Sequence, residues 1–296
     1  IREIDYIAPK VHENVVEIIL CLSGQVTISY CFEEFTLKTG EFILVDNDAY
    51  YLYNGNGAIC ASFYIHLPFF KTKYPYIDSL FFVCEGTSES RVPFDTYNHK
   101  YLKAMLIALL TYVSENTDHS PDYVNKINNI ALSIIDLLVN KFDIIFWYHP
   151  DLAIQDSALL RYRMMMDHVF KHHTESINIS MLAEKFNLSE IYVSEVLGGI
   201  SLGFRRMLNF IRVADAARLL ISTDMNVLSI SEACGFSDPK YLYKSFKEWY
   251  YCTPNQFRKK YLSEIGNEDM ASQLRLSDIA VPLEQMRKEH FIDWFM

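Results

Sequence analysis

Residues 229–249 of the chain read SISEACGFSDPKYLYKSFKEW and predict two short helices joined by a tight turn. Ser229 and Glu232 have the spacing of a capping box, which predicts that the first helix starts there. Gly235 is placed to end that helix, because glycine adopts the left-handed backbone conformation without steric cost. Asp238 and the proline after it predict the start of the second helix, since aspartate caps backbone N–H groups and proline fits the first helical position.

An earlier segment repeats this pattern. LAEKFNLSEIYVSEVL at 182–197 aligns with ISEACGFSDPKYLYKSF at 230–246, with one extra turn residue in the second copy. Asn187 replaces the glycine and Ser189 replaces the aspartate, and both keep the local chemistry. Two helices joined by such a turn form a helix-turn-helix, whose second helix can enter the DNA major groove. The apolar stripe of residues 204–221 predicts a stiff helix that joins the two copies and spaces them by about one DNA turn, roughly 34 Å.

Charge is distributed unevenly along the 296 residues. The whole chain has a net charge of -10, yet residues 158–262 hold 14 Lys and Arg against 10 Asp and Glu. A basic segment inside an acidic chain indicates that this region meets a polyanion while the rest does not. The six cysteines have no paired spacing, and the sequence has no long apolar run or signal sequence. We therefore expect a cytoplasmic protein with no membrane partner.

Residues 13–66 contain short apolar runs separated by turn residues. In one of these runs Val26, Ile28, Tyr30 and Phe32 alternate with other residues, which is the period of a strand with one buried face. Many short strands at close spacing predict an antiparallel sandwich or barrel.

From about residue 97 the period becomes helical, and two amphipathic stripes follow. The first stripe contains Leu102, Met105, Leu106, Leu109, Tyr112 and Val113. The second contains Val124, Ile127, Ala131, Ile134, Ile135 and Leu138. Both stripes require burial, and packing within the chain and a dimer interface are the two alternatives.

Residues 159–262 resemble the DNA-binding domain of the AraC/XylS family of bacterial transcription regulators. The resemblance is carried by LAEKFNLS, FIRVADAARLL, ISEACGFSDPKYLYKSFK and TPNQFRKKY. Residues 13–66 look more loosely like the cupin-type barrel that many members place in front. The resemblance implies an α+β protein of two domains. The first is an antiparallel cupin-like β-barrel with amphipathic helices, and the second is an all-α domain with two helix-turn-helix motifs joined by a linker helix.

We therefore predict five segments. They are a cupin-like barrel at 1–96, a helical dimerisation segment at 97–147, a linker at 148–157, the DNA-binding domain at 158–262 and a C-terminal extension at 263–296. The extension ends in the apolar FIDWFM, which indicates either a piece of a longer protein or a helix docked on the body. The resemblance implies a sequence-specific regulator, most often an activator, with double-stranded promoter DNA and RNA polymerase as partners. It also implies a homodimer and a barrel that often holds a small-molecule effector.

The second recognition helix supplies the main expected base contacts. By the resemblance, its groove-facing residues are Pro239, Lys240, Tyr243 and Lys244. Lysine donates to guanine O6 and N7, and tyrosine hydrogen-bonds or packs on a thymine methyl group. Other cations meet phosphates, which add affinity and salt dependence but little sequence information. The residues expected there are Lys247, Arg258, Lys259, Lys260 and Arg212.

The first recognition helix departs from the family pattern. Its groove-facing positions hold Ile191, Ser194 and Glu195, and Glu195 stands where the family usually has a basic or amide side chain. Glutamate accepts a hydrogen bond from cytosine N4, but phosphates repel it. We therefore predict that the second recognition helix dominates binding.

Metal chemistry finds little support in the sequence. Cupin enzymes bind a metal through clustered His and Glu, whereas the predicted barrel has His12 and His66 at its opposite ends. His168, His172 and His173 include an i, i+4 pair that suits a metal, although such residues are more often surface or packing residues. We expect no metal, no cofactor and no catalytic residue.

The aromatic strand AYYLYNGNG leaves the role of the barrel open. Tyr30, Tyr51 and Tyr53 are candidates for lining an effector pocket, and the alternative is that they are ordinary sheet residues. The competing function for the whole chain is a metal-free cupin enzyme or sugar-binding module that carries a degenerate helical domain.

Overall fold

The computed structural model describes residues 1–10, 12, 14–30, 33–46, 51–74, 77, 80, 82–87, 96–116, 120–144, 156–198, 203–264 and 267–291. The chain divides into two compact units. The sheet unit contains residues 1–70, 82–143 and 267–296, and the helical unit contains 71–81 and 144–266. The predicted combination of sheet and helices is confirmed. Most of the predicted linker, 148–155, lies outside the described residues.

The strands are short, with one long exception. They are β1 (Arg2–Lys10), β2 (Val15–Ser23), β3 (Gln25–Tyr30), β4 (Glu33–Lys38), β5 (Phe42–Val45), β6 (Tyr51–His66), β7 (Phe82–Val83), β8 (Glu85–Gly86), β9 (Asp143–Ile144) and β10 (Met270–Gln273). Eight of these form one sheet in the order β10-β1-β6-β2-β5-β8, with β3 paired to both β4 and β6. β7 and β9 form a separate two-stranded sheet.

Helices follow the strands in two groups. In the described residues they are α1 (Tyr97–Glu115), α2 (Pro121–Lys141), α3 (Asp156–His172), α4 (Ile179–Phe186), α5 (Glu190–Gly198), α6 (Gly203–Ser222), α7 (Val227–Ala233), α8 (Pro239–Tyr250), α9 (Pro254–Glu264) and α10 (Ala280–Phe291). None of these helices is long and apolar enough to cross a lipid bilayer.

In the sheet unit, one apolar cluster contains side chains of β1 to β6, and the central strands β2 and β5 are buried on both faces. Val26 lies opposite Leu37 and Ile28 lies opposite Phe35, and all four side chains are buried. The predicted alternation of β3 is confirmed at Val26 and Ile28, because residues two apart on a strand share a face. Phe32 and the side chain of Tyr30 lie outside the described part of the chain.

α1 and α2 pack against each other, with the rings of Tyr112 and Tyr123 stacked at 5.5 Å. Five residues of the two predicted stripes are fully buried, and they are Leu102, Leu106, Ile134, Ile135 and Leu138. Packing within the chain therefore covers part of both stripes, and the other stripe residues remain partly exposed. Val124, near the start of α2, is 46% exposed, so packing within the described chain leaves this stripe position uncovered.

The C-terminal segment joins the sheet unit. β10 pairs with β1 in antiparallel register, with Glu3 opposite Ser272 and Ile4 opposite Ala271. α10 then packs on α1 and β2 and buries three apolar side chains, Ile279 just before it and Leu283 and Met286 within it. A helix of the C-terminal extension is thus docked on the sheet unit, and residues 292–296 of the apolar FIDWFM lie outside the described part of the chain.

Leu283→Ala tests how firmly α10 is packed. Leu283 is 4% exposed, so truncation leaves a cavity and should lower the free energy of unfolding of the sheet unit by about 2–4 kcal/mol. Val281→Ala, at a position that is 79% exposed in the same helix, should change it by less than about 0.5 kcal/mol. Urea unfolding of both variants measures the difference, and equal stabilities would contradict the packing of α10.

The helical unit is built around α6, which contacts α5, α7, α8 and α9. On one side of α6, the core is formed by Tyr162, Met165, Val169, Leu182, Val193, Leu197 and Met207. On the other side, four aromatic rings pack at centroid separations between 4.7 and 5.2 Å. They belong to Phe246, Tyr250, Phe257 and Tyr261. The central helix thus holds a helix pair on each side, α4–α5 and α7–α8.

Candidate nucleic-acid interface

The start of α7 differs from its prediction. Asn226 caps the helix, because its Oδ1 accepts a hydrogen bond from Ser229 N at 2.9 Å. The predicted capping box of Ser229 and Glu232 is therefore wrong. Asparagine is as strong a cap as serine, so the cap lies three residues earlier than predicted and the helix begins at Val227.

The turn between α7 and α8 follows its prediction. Gly235 has a φ of +79°, the left-handed conformation that ends α7. A Cβ atom at this position would lie 2.5 Å from the carbonyl oxygen of Thr174, so glycine is required by close approach as well as by conformation. Asp238 then caps α8, with Oδ1 accepting from Lys240 N at 2.8 Å.

The first helix pair has the same turn geometry. Leu188 N donates to Ala183 O at 2.9 Å, and in the second pair Phe236 N donates to Ser231 O at 2.9 Å. Asn187 ends α4 with a φ of +55°, in the left-handed region that asparagine tolerates. The predicted equivalence of the two turns is confirmed.

Two arginines, one for each helix pair, join the helix that follows the pair to the end of the helix that precedes it. Arg212 of α6 donates to the carbonyls of His173 at 2.7 Å and Glu175 at 2.8 Å, just after α3. Arg258 of α9 acts in the same way at the end of α6. It donates to the carbonyls of Leu220, Thr223 and Met225 at 2.8, 3.2 and 2.7 Å. Each guanidinium thus satisfies carbonyls that the end of a helix leaves without partners.

The sequence analysis expects Arg212 and Arg258 to bind phosphates. Both are partly buried, and both use their N–H groups on backbone carbonyls within the helical unit. We therefore omit these two residues from the interface proposed below. Lys259 and Lys260 of α9 and Lys247 of α8 are exposed, as a phosphate contact requires.

The exposed face of α8 brings most of the predicted base contacts together. Lys240, Tyr243, Lys244 and Lys247 are exposed, while Leu242 and Phe246 are fully buried beneath them. Pro239 is half-buried at the first helical position.

Two polar contacts hold side chains on this face. Lys240 Nζ lies 3.1 Å from Asp238 Oδ2, and the Tyr243 hydroxyl accepts from Asn255 Nδ2 at 3.4 Å. Lys244 makes no ion pair with any described residue. The face therefore presents three ammonium groups and one phenol to the surroundings.

The corresponding face of α5 has one acidic side chain and no basic one. Ser189 caps this helix, with its Oγ accepting from Tyr192 N at 3.2 Å. Ile191 is 73% exposed, and Ser194 and Glu195 are exposed on the same side. The structure thus brings the three predicted residues together, on a surface that has no lysine or arginine of its own.

Sequence reasoning missed a partly buried polar cluster, which we call the junction. His173, Asp215, Arg218 and Cys234 form it, next to the contact between Thr174 and Gly235. Asp215 Oδ2 lies 3.3 Å from His173 Nε2 and 3.7 Å from Cys234 Sγ, and Arg218 Nη2 donates to Asp215 Oδ1 at 2.6 Å. The junction joins the end of α3, α6 and the turn after α7. The only sequence signal for it is a histidine just after α3.

Burial and hydrogen bonding shift the pKa values of His173 and Asp215 in opposite directions. Burial alone would lower the pKa of His173, but hydrogen bonds to Asp215 and to the Phe170 carbonyl raise it above its ordinary value. Burial would raise the pKa of Asp215, and its hydrogen bonds to His173 and Arg218 lower it instead. Burial raises the pKa of the Cys234 thiol, so this cysteine remains protonated.

Two of the three tyrosines proposed to line an effector pocket, Tyr51 and Tyr53, lie in the core of the sheet unit, and the side chain of Tyr30 is outside the described residues. Tyr51 and Tyr53 are each 1% exposed, and both donate to the carboxylate of Glu17, Tyr53 at 2.8 Å. Lys10 Nζ lies 5.5 Å and 5.1 Å from the centroids of their two rings. His12 Nε2 lies 3.7 Å from Glu17 Oε2. The carboxylate that organises this group was not identified from the sequence.

Histidines of α3 contact one another and nearby acids. The rings of His168 and His172 lie 4.2 Å apart, and His172 Nδ1 lies 2.8 Å from Glu175 Oε1. Within the described ranges, no group of three or more His, Cys, Asp or Glu side chains has an arrangement that would hold a metal ion.

Gly235→Ala should destabilise the helical unit by about 2 kcal/mol or more. The left-handed conformation costs an alanine about 1 kcal/mol, and the clash with Thr174 adds to this. Gly203 is the matched control, because it has a φ of +71° but no atom within 4 Å of the added Cβ. Gly203→Ala should therefore cost only the conformational part. Urea unfolding that gives equal losses for the two variants would contradict the close approach.

The junction should make stability depend on pH above neutrality. Because the folded pKa of His173 is raised, its contribution is fully present below about pH 6.5 and is lost as pH rises through the folded pKa. The free energy of unfolding should fall as pH rises above about 6.5 in the wild type and fall less in His173→Gln. Parallel pH profiles for the two proteins would show that this histidine does not stabilise the junction when protonated.

Comparisons with known proteins match the segment that contains the two helix pairs. A protein-family model described as a helix-turn-helix domain matches residues 182–260. The HTH-type transcriptional activator FapR of Escherichia coli is 32% identical over 89 residues, which are 30% of this chain and 34% of FapR. The virulence regulon transcriptional activator VirF of Shigella flexneri is 35% identical over 79 residues, 27% of this chain and 30% of VirF. These matches therefore span about a third of the length of the two curated relatives.

Two further matches reach beyond this segment. An uncharacterized HTH-type transcriptional regulator of Staphylococcus aureus is 22% identical over 220 residues, 73% of this chain and 28% of the relative. The solved structure of ToxT from Vibrio cholerae O395 covers 90% of this chain and 96% of ToxT, at 15% identity and a TM-score of 0.44. The shared segment at residues 182–260, with its repeated turn geometry, carries the assignment. The chain contains a helix-turn-helix domain of the AraC/XylS type.

Proposed function

We propose that this chain is a sequence-specific, DNA-binding transcription regulator in which α4–α5 and α7–α8 are two helix-turn-helix motifs joined by α6. The observation that carries the proposal is the exposed face of α8, where three lysines and a tyrosine stand on a helix positioned by a capped turn. Cations and donors in this arrangement fit the phosphates and base edges of a major groove.

The proposed interface has unequal halves. Pro239, Lys240, Tyr243 and Lys244 meet bases from α8, and Lys247, Lys259 and Lys260 meet phosphates. Ile191, Ser194 and Glu195 of α5 meet the neighbouring groove with no cation among them. Glu195 has no ion pair with any described residue, so its charge opposes the approach of a phosphate. On these grounds α8 supplies most of the affinity.

The sheet unit has the proposed roles of sensing and dimerisation. Its antiparallel sheet is consistent with a cupin-like barrel, and its α1–α2 pair leaves apolar side chains at the surface. These include Tyr97, 71% exposed, and Val124, 46% exposed. The relatives FapR and VirF are named activators, which favours activation through RNA polymerase at promoter DNA in the cytoplasm. The proposal includes a homodimer and a small-molecule effector, and it includes no enzymatic activity.

Lys244→Ala should weaken binding to a preferred site by about 5- to 150-fold, the range for loss of one base contact. The probe is a duplex selected from a random-sequence pool by the full wild-type chain, and binding is followed by fluorescence anisotropy over a salt series. Lys171→Ala is the matched control. It removes the same charge from an exposed lysine of α3, which pairs with Asp167, and should leave affinity unchanged.

The same assay tests whether α8 contributes more to DNA affinity than α5 does. Ser194→Ala should weaken binding less than Lys244→Ala does, and the opposite order would contradict the dominance of α8. If the wild-type chain shows no preference over random DNA, or an affinity insensitive to salt, the regulator proposal fails. That result would favour the competing cupin function.

A further inference from the structure

The central helix α6 carries four arginines, and three of them are used within the helical unit. Arg206 Nε donates to Glu248 Oε1 at 3.0 Å, and its guanidinium lies 5.2 Å from the Trp249 ring centroid. Arg212 binds the two carbonyls after α3, and Arg218 binds Asp215 in the junction. Arg205 is exposed and forms no ion pair with any described residue. Arg205 is therefore the arginine of α6 that has no structural role in these contacts.

Arg205 lies in a groove that runs along α6 between the two helix pairs. Arg205 and Asn209 of α6 line the groove along its length, together with Ile179 at the start of α4. On the other side, Tyr241 and Lys244 of α8 form its wall. We call this the Arg205 groove. It therefore opens directly beside the proposed major-groove face of α8.

Charge determines what the Arg205 groove can bind. Two carboxylates lie along it, and both have cationic or histidine partners. Glu248 is bound by Arg206 at 3.0 Å, and Glu175 lies 2.8 Å from His172. Of the cations that line the groove, Arg206 pairs with Glu248 and Arg212 donates to two backbone carbonyls, whereas Arg205 and Lys244 have no ion pair among the described residues. The groove is thus a polar channel with two available positive charges, which matches an anion.

We propose that Arg205, supported by Asn209, binds a backbone phosphate of the DNA segment that lies between the two recognition helices. This inference rests on the proposed function. A duplex that contacts Lys244 from the major groove passes the mouth of the Arg205 groove, because Lys244 lines both surfaces. The positive row continues along α8 through Lys240 and Lys247, which favours a long polyanion over a small anion. The guanidinium fork matches two phosphate oxygens.

Such a contact has a defined consequence for specificity. A phosphate contact carries no base information, but it fixes the register of the protein on the duplex. Arg205 would therefore set the spacing between the bases met by α5 and those met by α8. Its contribution should appear as salt-dependent affinity that does not vary with the spacer sequence.

The first test measures the affinity of the full chain for a random-sequence duplex over a salt series. The duplex has about 40 base pairs, which exceeds one helical turn for each recognition helix. Arg205→Ala should reduce the slope of log affinity against log salt by about 0.9, the value for one phosphate contact. Arg205→Lys keeps the charge and should retain the slope. Arg275→Ala is the control, since it removes an 85% exposed arginine in the sheet unit, paired with Asp278, and should leave the slope unchanged.

The second test locates the phosphate by ethylation interference on a duplex selected by the wild-type chain. Ethylation between the two half-sites should interfere with the wild type and not with Arg205→Ala. A wild-type slope in Arg205→Ala, or interference confined to the half-sites, would overturn the inference and leave the proposed function standing. Absence of salt-dependent binding by the wild type would overturn both.

Discussion

The helical unit depends on the contact between Gly235 and the backbone of Thr174. At this point the turn of the second helix pair packs against the chain just after α3, with no space for a side chain. Arg212 binds the carbonyls on either side of Thr174, and the junction of His173, Asp215 and Cys234 closes around the same place. Because each half of the unit contributes to this contact, it fixes where the two helix pairs lie relative to each other.

The same physical solution occurs twice in the helical unit. A helix ends, its carbonyls accept from an arginine of a later helix, and a short pair follows with a left-handed residue in its turn. The repeat explains why basic residues of the same unit have different roles. Those that face a helix end are used to satisfy carbonyls, while the lysines of α8 stand on the outer face and stay available. In this acidic chain, three lysines thereby stand on the exposed face of α8.

The sheet unit is organised around a buried charge of its own. The carboxylate of Glu17 is 1% exposed and is stabilised by the hydroxyls of Tyr51 and Tyr53. A buried carboxylate without such donors would be costly, so the three residues form one interdependent group. Because Tyr51 and Tyr53 are buried in the core, they fit the alternative that they are ordinary residues of the sheet. The lysine over their rings and the nearby histidine are the parts of this group closer to solvent.

The sequence by itself determined the local structure of the helical unit: the turns at Asn187 and Gly235, the cap at Asp238 and the lysine face of α8. These depend on backbone conformation and hydrogen bonds between residues a few positions apart, so the order of residues specifies them. The predicted cap of α7 was wrong because Asn226 and Ser229, three positions apart, are both residues that cap helices well. Only the tertiary structure decided the uses of Arg212 and Arg258, the pairing of β10 with β1, and the burial of Glu17. Each of these rests on contacts between residues that are 33 or more positions apart, such as Arg258 with Met225 and Glu17 with Tyr51, and the local pattern does not encode them.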